Sequence, residues 1–383
     1  MTTGVWLIGA RGSLATTVAC GLLGLRRGLV APTGCTTSAL DLGEVFPNWD
    51  DLVLGGHDVV TTPLEKRAEQ LVDGGVVPQH VFAAVRAELA EVERALRPGY
   101  DPLTWPGSQA DAVARLAADI EGFRVEHDLD RVVVVNVSST EAPVVPRPEH
   151  ADLAALDHLL ADPGERVLPP SSIAAYAALH AGCAYVDFTP STGIRIPALT
   201  DLALREGLPY AGSDGKTGQT LVRSVLAPMF EARALRVRSW AGTNLLGGGD
   251  GASLAAPDRA AAKLASKSGV LAPDIEAPLH IDNVPSLGER KIAWDHVAFE
   301  GFLGARMSLQ FTWEGYDSGL AAPLVLDLAR LVAGAHAAGE AGPLSRLGFF
   351  FKDPLGGTGH NLFAQARELA EWAESLEGGG DRC

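Results

Sequence analysis

VWLIGARGSLATTVACGLLGLRRG, residues 5–28, reads as a buried strand, a glycine turn and a helix in direct succession. Val5 to Ile8 are a short apolar run, and Gly9 and Gly12 turn the chain. Ser13 can cap a helix whose apolar face continues through Val18 and Leu22. Further buried-strand candidates are DLVLGG (51–56), RVVVVNVS (131–138) and AYVDFT (184–189), with helical patterns at 62–74, 79–97, 109–122 and 171–182. Strands alternating with helices predict a Rossmann-like, doubly wound α/β domain whose parallel sheet is covered on both faces. The Pro/Gly segment 97–109 predicts a loop between two helices.

The pattern changes after residue 230. ALRVRSWAGTN (234–244), KIAWDHVAFEGF (291–302) and ARMSLQFTWEG (305–315) alternate apolar and polar residues with period two, as half-exposed antiparallel strands do. From Ala321 the helical period returns. The expected organisation is a nucleotide-binding domain of residues 1–220 and 319–383, interrupted by an inserted α+β catalytic and oligomerisation domain of residues 221–318, with mainly antiparallel strands.

Bulk properties narrow the partners. A net charge of -16 at pH 7 argues against nucleic-acid or anionic-membrane surfaces, which need a basic face. The four cysteines show no CxxC spacing, so neither a zinc cluster nor a disulfide frame is expected. No run approaches 18 consecutive apolar residues, and the apolar start is too short for a signal peptide, so a cytoplasmic location is expected. A few local cations must then hold any anionic ligand. The 31 basic residues include only six lysines: Lys66, Lys216, Lys263, Lys267, Lys291 and Lys352. Lys66 reads as part of a solvated helix face. The other five follow residue 210, most of them beside Gly, Ser, Thr or Asp.

Several segments could carry chemistry. GARGSLA (9–15) puts small residues between strand and helix, where backbone amides and the helix dipole can approach a pyrophosphate. It is only near the usual dinucleotide fingerprint, and no acidic residue occurs before Asp41. GSDGKTGQT (212–220) resembles the end of a P-loop, but Tyr210 stands where that loop needs glycine. It instead brings Thr217, Gly218, Gln219 and Thr220 to a helix N-terminus able to hold one phosphate. In AAKLASKS (261–268), Lys263 and Lys267 are four apart, on one helical face, fit for a phosphate clamp or a poised acid/base. GTNLLGGGDG adds Asn244 and Asp250, GERKIAWD adds Lys291, WEGYDSG adds Asp317 and Ser318, and FFFKDPL adds Lys352.

Taken in order, these motifs resemble the inositol-1-phosphate synthase family, NAD-dependent sugar-phosphate cyclases, over nearly the whole chain. That family's G[ST]D-x-K-[ST]-G-Q-T stands here as GSDGKTGQT, its SKEISKS as AKLASKS, its GDSK as GERK, its EDS as YDS and its LKAPL as FKDPL. The resemblance implies oxidation of the C5 hydroxyl of an open-chain hexose 6-phosphate, loss of a C6 proton, attack of the enolate on C1, and return of the hydride. It implies catalytic roles for Lys263, Lys291, Lys352, Asp214, Asp250 and Asp317. Lys267, Thr217, Gly218, Gln219, Thr220, Asn244 and Lys216 would bind substrate. Gly9, Ala10, Arg11, Gly12, Ser13, Leu14, Asp58, Ser138, Thr140, Thr189, Asp214, Asp317 and Ser318 would hold NAD. A homotetramer and an activating cation of unstated identity are further expectations.

Departures reshape the pocket. LGNNDG has become LGGGDG at Gly248 and Gly249, Glu289 replaces Asp, Arg290 replaces Ser, and SPQNT has become TPSTG. Glucose 6-phosphate giving inositol phosphate is the leading expectation. Fructose 6-phosphate could follow the same oxidation and enolisation to a five-membered cyclitol phosphate. A plain dehydrogenase and a non-catalytic NAD-binding paralogue are remoter alternatives.

Overall fold

A computed structural model describes residues 1–40, 42–248, 275–357 and 359–377. The opening pattern forms β1 (Thr3–Ile8) and α1 (Ser13–Arg26). Gly12, not Ser13, is the N-cap, and it offers no side chain to the first turn. Ser13 therefore is the first helical residue, and its hydroxyl donates to Glu289 Oε1 at 3.1 Å instead.

The main sheet continues with β2 (Leu52–Asp58), β3 (Leu96–Pro98), β4 (Arg131–Asn136), β5 (Ala184–Asp187) and β6 (Pro209–Gly212). Its helices are α2 (Leu64–Asp73), α3 (Gln79–Arg94), α4 (Gln109–Glu126), α5 (Leu153–Leu160), α6 (Pro170–His180) and α7 (Pro197–Arg205). After β6 come α8 (Gly218–Ala232), β7 (Arg236–Leu246), β8 (Leu279–Asn283), β9 (Arg290–Glu300), β10 (Arg306–Tyr316), α9 (Asp317–Ala337), β11 (Gly342–Pro343) and α10 (Leu362–Glu377).

The seven-stranded sheet has the order β11-β6-β5-β4-β1-β2-β3, with every neighbouring pair parallel. The order reverses at β1, which leaves a crevice between the carboxyl ends of β1 and β4. Alternate strand residues feed two cores, as burial on both faces requires. Val5, Leu7, Val133 and Val135 pack with α1, α3 and α9. Trp6, Val132, Val134 and Tyr185 pack with α4, α6 and α7. By length and composition alone α9 could cross a membrane, although Asp327 and Arg330 keep its apolar runs short. Its residues from Val325 to Ala335 are buried against the sheet, as in the core helix of a water-surrounded domain.

The second sheet has the order β10-β9-β7-β8. β7, β9 and β10 are antiparallel, but β8 joins β7 in parallel, so the sheet is mixed. A parallel pair needs a long crossover, and residues 247–278 supply its length. Phe230 of α8 packs on Trp240 and Val297, giving this sheet a small core of its own. β6 and β8 escaped the sequence reading because runs of four and five residues carry little periodicity.

Candidate active site

The glycine turn after β1 is built for close approach. Gly9 has φ +87°, and a Cβ there would lie 2.7 Å from the Cα of Ser138, at the end of β4. Gly9 and Ala10 both donate their amides to His57 O, at 2.9 and 3.1 Å. His57 itself accepts from Trp6 Nε1 at Nδ1, so its proton sits on Nε2, facing Asp119 Oδ2 at 3.1 Å. Burial lowers its pKa, in keeping with a neutral ring.

Asp58 ends β2 beside this turn. Its carboxylate accepts from Arg11 N at 2.6 Å and from Val60 N at 2.8 Å. This is the place where dinucleotide folds put a ribose-binding acid. The sequence spacing concealed it, because the segment between α1 and β2 adds two short 3-10 turns (Thr36–Ala39 and Trp49–Asp51). That segment is pinned by α9: Asp327 accepts from the amides of Thr36 and Thr37, and Arg330 donates to Pro47 O and lies over the Trp49 ring.

A cleft of about 600 Å³ opens here. Gly9, Arg11, Gly12, Ser13, Leu14, Asp58, Ser138, Thr140 and Thr189 line one part of it; Asp214, Thr217, Lys291, Asp317, Ser318 and Lys352 line another. Ala10 lies beneath the surface, 3% exposed.

The two described amines of the cleft arrive from distant segments. GSDGK runs against residues 350–353 in a short backbone ladder: Ser213 N to Asp353 O at 2.7 Å, Lys216 N to Phe350 O at 2.8 Å, and Lys352 N to Asp214 O at 2.8 Å. That pairing brings Lys352 Nζ to Asp214 Oδ1, also at 2.8 Å, with both side chains 6% exposed. Asp214 holds a left-handed backbone, φ +61°, which Asp tolerates better than most residues. Lys291, at the start of β9, reaches Asp317 Oδ2 at 2.7 Å across the junction of β10 and α9. Charge-assisted bonds of this length fix each amine in place.

Thr217 caps α8, and Gly218 follows with φ +52°. Gln219 and Thr220 are buried in the first turn of α8, and Asn244 Nδ2 donates to Gln219 Oε1 at 2.9 Å. Gln219 and Asn244 thus form one hydrogen-bonded unit set behind the wall of the cleft. Lys216 goes elsewhere, contrary to its expected place among substrate ligands. Its amine is buried between Gly348 O at 3.2 Å and Gln365 Oε1 at 2.7 Å, and burial pulls its pKa down to about 8. The reason is the left-handed backbone of Asp214, which breaks the period of two that would otherwise put residues 214 and 216 on one face: Asp214 lines the cleft, and Lys216 enters the shell formed by α10. Lys263, Lys267, Asp250 and Gly249 lie outside the described residues. Lys66 is exposed, as read from sequence, and pairs with Glu69. Among the described residues, no group of three or more His, Cys, Asp or Glu is placed to hold a metal ion.

Some lining residues carried no sequence signal. Arg67 of α2 faces the cleft, and its buried Nε has no partner among the described residues, as expected of a group awaiting an anion. Glu141 lines the cleft while accepting from Ser171 N at 2.9 Å and from its hydroxyl. Glu289 ties the cofactor turn to β9 through Ser13. The tight turn at Gly9, the acid at the end of β2 and the orphaned Arg67 together fit an adenine dinucleotide.

Comparison with known proteins agrees. The family profile described as myo-inositol-1-phosphate synthase matches residues 3–374. An inositol-3-phosphate synthase 1 of Bacteroides thetaiotaomicron is 31% identical over 98% of this chain and 95% of its own length. The Bos taurus inositol-3-phosphate synthase 1 is 30% identical over 92% of this chain and 73% of its own length. Among solved structures, an inositol-3-phosphate synthase from Caenorhabditis elegans superposes with a TM-score of 0.86 at 22% identity, covering 98% of this chain and 86% of the other. A myo-inositol-1-phosphate synthase-related protein from Thermotoga maritima gives 0.77 at 23%, over 98% and 99%. The chain belongs to the myo-inositol-1-phosphate synthase family and is an NAD-binding isomerase of that kind.

Proposed function

We propose that the chain cyclises glucose 6-phosphate to an inositol 1-phosphate by internal oxidation, enolisation, aldol closure and reduction. The observation that carries this reading is the convergence of Lys291–Asp317 and Lys352–Asp214 on the cleft that also contains the Gly9–Leu14 turn. Bound NAD would supply the hydride acceptor and, after ring closure, the hydride.

Gly9, Gly12, Ser13 and Arg67 would meet its pyrophosphate, and Asp58 its ribose. Lys352, held by Asp214, would exchange a proton with the substrate oxygen being oxidised. Lys291, held by Asp317, would stabilise the oxyanion that forms when the carbonyl is attacked. In a cleft shielded from water such fixed cations act far more strongly than in bulk solvent. Thr217 and the first-turn amides of α8 would hold the phosphate, with Lys267 as a further ligand. Lys263 and Asp250 complete the proposed set.

A second reading has one observation in its favour. Gly248 has φ +62° and stands where the family pattern places an asparagine amide, so a substrate with a different carbonyl position could fit. Incubation with NAD+ and either glucose 6-phosphate or fructose 6-phosphate, followed by NMR of the product ring, separates the two. A six-membered ring from glucose 6-phosphate is expected. Sustained NADH release without ring formation would instead mark a plain dehydrogenase. We also propose a homotetramer joined through the second sheet, whose Trp294, Phe302, Leu303 and Met307 are exposed in the single chain; light scattering at monomer mass would refute it.

A further inference from the structure

The cofactor end of the cleft sets an arginine beside its acid. In dinucleotide folds an acid at the end of the second strand accepts from the ribose hydroxyls of NAD, whereas a nearby arginine accommodates the 2′-phosphate of NADP. Asp58 and Arg11 bring both residue types to one spot. Arg11 N donates to Asp58 Oδ2 at 2.6 Å, and both residues line the cleft. Asp58 Oδ1 accepts from Val60 N at 2.8 Å. Each carboxylate oxygen has two acceptor positions, so each keeps one for a hydroxyl.

The Arg11 side chain does not pair with the acid that its own amide bonds. Glu93, in the last turn of α3, takes it: Arg11 Nε and Nη2 both donate to Glu93 Oε1, at 3.2 and 2.6 Å. The Arg11 side chain is 14% exposed and that of Glu93 31%, so the pair is largely shielded from solvent. Glu93 is held in turn, because its Oε2 accepts from Leu64 N at 2.7 Å. Leu64 opens α2, whose N-cap is Pro63 and offers no side-chain acceptor to the first amides. Both oxygens of Glu93 are thus committed. Its charge cancels that of Arg11, and the Asp58 carboxylate keeps its own.

We infer that Glu93 is a positioning residue that sets coenzyme selectivity. By holding the Arg11 guanidinium, it leaves Asp58 free for the ribose hydroxyls of NAD and denies a counter-ion to the 2′-phosphate of NADP. This rests on the placement of the NAD ribose at Asp58 and not on which sugar phosphate is turned over.

Titration of NAD+ and NADP+ into the full chain, followed by protein fluorescence, tests it through the ratio of the two dissociation constants. Arg67 is the same in every variant, so its contribution cancels in the comparison. Glu93→Gln keeps the shape and can still accept from Leu64 N through its carbonyl, which turns its NH2 towards Arg11. The released guanidinium is then available to Asp58 and to a 2′-phosphate. The preference for NAD+ should fall roughly tenfold, the scale of one charge-assisted hydrogen bond. Arg11→Ala removes the guanidinium and leaves Glu93 charged, so its preference should be at least that of the wild type. The double variant separates selectivity from mere support of α2. With no guanidinium to release, Arg11→Ala combined with Glu93→Gln should return close to the wild-type preference. A preference unchanged in Glu93→Gln overturns the inference, as does one that stays low in the double variant. Equal affinity of the wild type for both coenzymes also overturns it. If Asp58→Asn leaves the preference unchanged, the ribose placement fails and the inference with it; if only Glu93→Gln leaves it unchanged, that placement stands.

Discussion

The two ends of the cleft are built on opposite plans. The cofactor end is centred on a local unit: β1, the turn and α1 are contiguous, and their glycines and helix start act within a dozen residues, with Asp58, Arg67 and Ser138 added around them. The amine end is assembled from segments at 212–218, 291, 317–318 and 352, joined by a backbone ladder and two ion pairs. A local site can be recognised from one stretch of sequence and is disturbed by backbone changes. An assembled site depends on charges meeting across the fold and is disturbed by side-chain changes. The Ser13–Glu289 bond joins the two.

If that contrast holds, Lys352→Ala should give the largest functional loss, a kcat reduction on the order of 10²–10⁴, with NAD affinity nearly unchanged. Fluorescence titration of NAD beside turnover checks both halves, and an equal loss in affinity would erase the distinction. Gly9→Ala should do the reverse. A methyl against Ser138 at φ +87° costs about 1–3 kcal/mol, so NAD affinity should fall roughly tenfold or more while bound enzyme keeps its chemistry. Asp58→Asn should act on the same end more gently. Two amide bonds are weakened, and NAD binding should drop several-fold, with a smaller preference over NADP, read from the ratio of their dissociation constants.

The smallest effect concerns the scaffold beneath the cofactor end. Burial raises the carboxyls of Asp187 and Asp327 to about 6. Each folded-state value lies above the ordinary one near 3.8, so the stability they contribute is full below that value and is lost as pH rises through about 6. Between pH 4 and pH 7, Asp327→Asn should therefore flatten the fall in unfolding temperature without altering the profile of turnover by the amine end. An unchanged slope would show that Asp327 is not the group responsible.

Legibility followed the same division. The strand–turn–helix opening, the helices from 64 to 126 and the three long antiparallel strands were readable, since each carries its own periodicity over enough residues. Ser13 as a cap was misread because a glycine can serve where the first-turn amides are left for a ligand. Asp58 was noticed only through resemblance, because its distance from Gly12 along the chain is set by an inserted loop rather than by the sheet. Lys216 illustrates the converse. Its motif is intact, but the left-handed backbone at Asp214 breaks the period of two that would keep residues 214 and 216 on one face, and nothing in its neighbours announces which side it takes.

The sequence by itself determined the longer elements, the parallel pairing that follows from alternating strands and helices, and the scarcity of lysine that drew attention to Lys291 and Lys352. Those properties arise from local steric preference and from burial patterns repeated along the chain. Only the tertiary structure decided which aspartate holds which amine, and that Arg67 faces the cleft. Such choices depend on contacts between segments tens to hundreds of residues apart, where direction and distance, not composition, decide the partner.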